Sequence, residues 1–150
     1  MSLNYSISQP VPIFGTKSTT TNVIATTATL TASLAGNRKV IDGVTGMTKF
    51  DLRYAYTTGA SETSNQLNIV IEQSEDLENW FTIANETVSA GTSTLNARTF
   101  VNLDNATGAT TINSSIGLDI FYKALRVSMS ETGVVTNFGT VYAEGTILGE

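Results

Sequence analysis

The sequence predicts an all-β protein, an antiparallel β-sandwich of about eight or nine strands with an extended N-terminal arm, and three observations predict it. Apolar residues alternate with polar ones at a period of two along several runs, as half-buried strands require. Clusters of Gly, Asn, Asp and Ser separate those runs at short spacing, and no amphipathic helical pattern outlasts a turn or two. Threonine, which suits a pleated half-buried surface, occurs 25 times in 150 residues. Jelly-roll-like and immunoglobulin-like connectivities are both open, because alternation does not specify which strands pair.

Residues 1–22 differ from the rest. Tyr5, Ile7, Val11, Ile13 and Phe14 are spaced around Pro10 and Pro12, ahead of a polar stretch at 16–22. Two prolines remove backbone donors and favour extended chain, so the segment reads as an arm or an edge strand, packed on its own domain or on a neighbour. The division is an arm at 1–22 and a sandwich domain at 23–150. From Ile24 to Leu34 the even positions are Ile, Thr, Ala, Leu, Ala, Leu, which predicts one long half-buried strand. Ala35-Gly36-Asn37 turns the chain, Val40-Ile41 is a short strand, and Asp42-Gly43 turns it again.

The clearest strand carries Phe50, Leu52, Tyr54 and Tyr56 on one face, with Asp51, Arg53, Ala55 and Thr57 on the other. Leu67, Ile69 and Ile71 repeat the pattern. The acidic connection 74–79 then leads to a run beginning at Trp80, so these two form a hairpin. A strand at 99–103 follows, and a long loop over 104–115. Near the end Phe121, Lys123, Leu125, Val127 and Met129 share a face, 130–133 reads as a turn, and a last strand from Thr140 to Ile147 is expected to return antiparallel to that one. The pieces from Thr58-Gly59 to Asn65 and from Thr132-Gly133 to Asn137 share a Thr-Gly start and a final Asn, a length at which turn chemistry repeats by chance.

Composition excludes several function classes. There is no histidine and no cysteine, which removes most nucleophile–base pairs and soft metal ligands. The net charge is −5 and the eight basic residues are scattered, with only Arg38 and Lys39 adjacent, whereas a phosphate-tracking surface needs clustered cations. No nucleic-acid partner is therefore expected. The polar, uncharged start and the lack of a long apolar run predict a chain made in the cytoplasm without a membrane span. No catalytic, cofactor or metal residues are assigned.

The remaining constellations have plain structural explanations. Asp51, Glu72 and Glu86 lie on or beside strands, and nothing sets any two apart as a general acid/base pair. Glu75, Asp76, Glu78 and Asn79 offer hard oxygen ligands, yet they lack the spacing of a calcium loop and fit a solvated hairpin. Aromatics at strand spacing are usually core; the alternative is a sugar-stacking platform built on Tyr56 and Trp80. Arg38-Lys39 reads as a device that keeps a sheet edge soluble.

Two segments, YTTGASETSNQLNIVIEQSEDLENWFTI (56–83) and KALRVSMSETGVVTNFGTVYAEGTI (123–147), resemble small virion structural proteins of tailed bacteriophages, over roughly residues 50–147. They share an S-x-D-x-x-x-W hairpin and a late pair of strands; this chain has Leu77 where such hairpins often carry glycine after the aspartate. The resemblance implies a non-enzymatic capsid decoration, cement or head accessory protein, found in the virion. Its implied partners are the major capsid protein or other virion proteins and further copies of itself, a trimer by analogy. The residues expected to adhere are Tyr5, Ile7, Val11, Ile13 and Phe14. The alternative is a carbohydrate- or receptor-binding module of a tail or fibre.

Overall fold

The structure, a computed structural model, describes residues 10–44, 47–90, 94–102, 124–134 and 136–149. The strands are β1 (Pro10–Phe14), β2 (Thr16–Lys17), β3 (Ile24–Thr26), β4 (Ala28–Thr29), β5 (Arg38–Asp42), β6 (Met47–Thr57), β7 (Gln66–Ser74), β8 (Phe81–Ser89), β9 (Thr94–Asn102), β10 (Ala124–Thr132) and β11 (Thr140–Gly149). One sheet has the order β1-β11-β6-β9, with β4 also on β11. The second has the order β5-β10-β7-β8, and β2 and β3 form a small ribbon. Every pairing is antiparallel.

This order decides the connectivity. Without the short β2–β4, the first sheet takes the first, eighth, third and sixth strands in chain order, and the second takes the second, seventh, fourth and fifth. That is a jelly roll, in which successive strands alternate between two packed sheets except at the β7–β8 hairpin. The alternation in the sequence supplies the inner faces: Phe50, Leu52, Tyr54 and Tyr56 from β6 meet Leu67, Ile69 and Ile71 from β7 and Leu125, Val127 and Met129 from β10 in one buried core. The hairpin of β7 and β8 forms as predicted. β5 lies at an edge with exposed Arg38 and Lys39, where charge discourages pairing with another chain.

Two expectations are corrected and one alternative is decided. The last strand does not pair with the run before it: β11 crosses to the other sheet and lies between β1 and β6. Residues 24–34 are not one strand. Hydroxyls there offer the backbone other partners: Thr31 Oγ1 donates to the Ser33 carbonyl and Ser33 Oγ caps a 3-10 turn at Leu34–Gly36, and of the alternating positions only Leu30 is buried. For residues 10–14 the structure takes the edge-strand alternative, packed on the chain's own domain. β1 is an edge strand on β11, with Ile13 and Phe14 buried in the core. An edge accommodates Pro10 and Pro12, which have no N–H to give to a second neighbour.

The two crossovers between the sheets at one end, 58–65 and 133–139, are fastened together by two carboxyl groups. Glu131, with no exposed surface, accepts from the Tyr56 hydroxyl (2.6 Å), Asn65 Nδ2 (3.1 Å) and the Gly139 amide (2.5 Å). Glu62 accepts from the amides of Thr136 and Asn137 (2.8 and 3.1 Å). The two Thr-Gly…Asn pieces are therefore partners in space. A Cβ on Gly59 would stand 2.2 Å from the Asn137 carbonyl oxygen, and one on Gly133 2.7 Å from that of Ser64, so each loop needs its glycine to approach the other.

Candidate binding face

The outer face of the first sheet carries the side chains of β6 that point away from the core. In register, Arg53 stands between Glu144 on β11 and Arg98 on β9, and Ala55 between Tyr142 and Asn96. The β2–β3 ribbon closes one side, from which Lys17 Nζ reaches Glu144 Oε1 at 3.0 Å and lies 5.2 Å from the centroid of the Tyr142 ring. Together these residues line an open groove of about 490 Å³.

Its electrostatics differ from those of the chain as a whole. Lys17, Arg53 and Arg98 face two carboxyl groups, Asp51 and Glu144, in a protein of net charge −5. Glu144 is fully engaged: Lys17 holds one oxygen and the Tyr142 hydroxyl donates to the other at 2.8 Å. Burial alone would raise its pKa, but these hydrogen bonds and the charges of Lys17 and Arg53 outweigh it and hold the carboxyl below the ordinary glutamate value. Burial and the same contact push the Tyr142 hydroxyl well above its ordinary range. Asp51 is shared less closely. Arg53 Nε stands 3.3 Å from Oδ2 and Arg98 Nε 3.6 Å from Oδ1, and Oδ1 accepts no hydrogen bond. The two arginine side chains are 54% and 63% exposed.

The residues singled out from sequence fall elsewhere. Tyr56 has no exposed surface and its hydroxyl is spent on Glu131, so it takes no part in a sugar platform. Trp80 immediately precedes β8 of the other sheet, where Arg126 lies 4.3 Å from the centroid of its ring and binds Glu72 at 2.7 Å. The platform of Tyr56 and Trp80 is thus not assembled: one ring is in the core and the other is covered by a guanidinium. Of the five adhesive residues, Ile13 and Phe14 are core, Val11 packs against the core, and Tyr5 and Ile7 lie outside the described residues. The loop over 104–115 lies outside them too.

The carboxyl groups considered for catalysis each have a private partner: Asp51 with the two arginines, Glu72 with Arg126, and Glu86 with Thr99 Oγ1 at 2.7 Å. Asp76 turns its oxygens on its own loop, accepting from Ser74 Oγ, Asn79 Nδ2 and the amides of Glu78 and Asn79. The Asn79 contacts above all hold its pKa far below the usual carboxylate range. Among the described residues no three acidic side chains gather to hold a metal ion, and no helix is long and apolar enough to cross a membrane. Sequence reasoning missed the groove because Arg53 and Arg98 read as isolated charges; their one signal is an outward position on strands, visible only once β6 and β9 are known to pair.

No protein-family model matches the sequence, and no curated protein does. Among solved structures the chain is similar to one described as CBM4 structure and function, at 14% identity and TM-score 0.46, covering 93% of this chain and 92% of that one. A non-crystalline cellulose specific carbohydrate-binding module, CBM28, gives 9% identity and TM-score 0.47 over 75% and 65% of the two chains. The infectious bursal disease virus VP2 subviral particle gives 12% and 0.46 over 99% of this chain and 34% of that one. At such scores the likeness bears on neither ligand nor partner, and the chain is described by its own fold: an all-β antiparallel sandwich.

Proposed function

We propose that the chain is a non-catalytic building block of a tailed-phage virion, a capsid decoration or head accessory protein that acts by protein–protein contact. The observation that supports this most is where the phage-like segments lie. The stretch 56–83 holds Tyr56, Glu62 and Asn65, the stretch 123–147 holds Glu131, Thr136, Asn137 and Gly139, and together they make the clasp that joins the two crossovers. The resemblance therefore follows the framework of the sandwich rather than scattered surface residues. Jelly rolls occur in viral capsids and in lectins alike, so the fold alone does not choose between them.

In this reading the sandwich is a rigid block whose sheet edges and Thr-rich uncharged surface form contacts without stranding charge. Tyr5 and Ile7 reach a capsid neighbour, and the copies form a trimer. The test is co-sedimentation of the purified protein with heads of the phage that encodes it. Removing residues 1–9 is the informative deletion, since a cut at 22 would also remove β1 from its sheet. Saturable binding of the intact chain, weakened by that deletion, is the expected result; absence of the intact chain from the pellet refutes the assignment. Light scattering against the 15.9 kDa chain mass checks the trimer.

A further inference from the structure

We propose that the outer groove of the first sheet binds an oxyanion, a carboxylate or phosphate ester carried on a sugar-sized ligand, between the guanidinium groups of Arg53 and Arg98. These residues stand directly opposite each other on β6 and β9. Like charges in that position repel and destabilise the pair of strands. Among the described residues Asp51 is the one carboxyl group that forms an ion pair with both, at 3.3 and 3.6 Å and with Oδ1 free of hydrogen bonds, while Glu144 acts on Arg53 only at longer range. The next carboxyl group along the row, Glu144, is already taken by Lys17 and Tyr142. Both guanidinium groups meet Asp51 through Nε, which leaves their paired Nη groups, the fork suited to a planar or tetrahedral oxyanion, for a ligand.

The surroundings set the size and kind of ligand. A groove of about 490 Å³ lies within the roughly 300–1,000 Å³ of small-molecule sites. The exposed Asn96 offers a donor and an acceptor to hydroxyl groups, and Ala55 leaves the floor between Asn96 and Tyr142 low. An anion in this position relieves the arginine repulsion that the apo protein carries. The rest of an acidic surface repels it, which confines binding to this spot. The inference is independent of the virion assignment and stands or falls on its own experiment.

That experiment is calorimetric titration of the full chain at low ionic strength with digalacturonic acid, glucose 6-phosphate and neutral cellobiose. The variants are Arg98→Gln and Arg53→Gln, with Lys39→Gln, an exposed cation at the β5 edge of the other sheet, as control. Saturable binding of one or both anionic sugars is expected, and which of them binds separates carboxylate from phosphate. Affinity should fall about tenfold in Arg98→Gln, equal to about 1.4 kcal/mol, fall similarly in Arg53→Gln, stay unchanged in Lys39→Gln, and weaken with added salt. Both arginines are exposed, so the variants should keep the wild-type circular dichroism. No saturable binding of either acid, equal binding of cellobiose, or affinity within twofold of wild type in both arginine variants overturns the proposal.

Discussion

Replacing Glu131 by alanine should be among the most destabilising single changes in the chain, and its cost follows from three hydrogen bonds. The carboxyl group has no exposed surface and takes part in none of the four ion pairs among the described residues. It accepts from the Tyr56 hydroxyl, Asn65 Nδ2 and the Gly139 amide. Alanine strands all three donors, and a buried unsatisfied donor costs about 1–3 kcal/mol. Allowing for water entering the vacated space, the loss should be about 3–5 kcal/mol, against a total stability of order 5–15 kcal/mol for a domain. Two milder variants calibrate the figure. Tyr56→Phe removes one donor and leaves the carboxyl its other two, for about 1–2 kcal/mol. Glu131→Gln keeps the shape; its oxygen can face Gly139 while its amide donates to Tyr56 and to Asn65 Oδ1, an atom now without a partner, so the cost should be about 1 kcal/mol. Urea unfolding followed by circular dichroism and Trp80 fluorescence measures all three, provided the slope of the transition is unchanged. If Glu131→Ala costs under about 1 kcal/mol, or no more than Tyr56→Phe, the clasp does not hold the crossovers and the reasoning fails.

Three further outcomes follow from the same structure. Leu77 has φ +67°, a left-handed conformation that costs a side chain about 1–2 kcal/mol; Leu77→Gly should stabilise the hairpin by up to about 1 kcal/mol, and a lowered urea midpoint would count against this. A Cβ on Gly145 would stand 2.4 Å from Cε1 of Phe50, so Gly145→Ala should cost about 1–3 kcal/mol and be partly rescued by Phe50→Leu; equal losses in the single and double variants would show that the ring is not the obstacle. In alkali, Tyr56 and Tyr142 resist ionisation in the native state, since burial first and then the neighbouring Glu131 and Glu144 push their hydroxyls above the ordinary value of 10.0. The unfolded chain loses those protons first, so stability is intact below about pH 10 and falls as pH rises beyond it. Absorbance at 295 nm should therefore show tyrosines that titrate only with unfolding, and reversible titration of all five near pH 10 with retained circular dichroism would contradict it.

Period-two alternation by itself determined which side chains face inward: Phe50 to Tyr56, Leu67 to Ile71 and Leu125 to Met129 all reach the core as read. It also marked the hairpin at 74–79, the solvated acidic loop, and a proline-bearing extended segment near the start of the chain, because turn chemistry and missing N–H groups are local properties. Tertiary structure alone decided the rest. Alternation says which side of a strand is apolar but not which sheet the strand joins, so only long-range pairing moved β11 away from β10 and drew β1 into the first sheet. The same limit hid the candidate site: Arg53 and Arg98 are far apart in the chain and become neighbours only through the register of β6 on β9. Glu62 and Glu131 likewise carry no local signal of burial, because the backbone amides they accept from are brought to them only when the crossovers fold together.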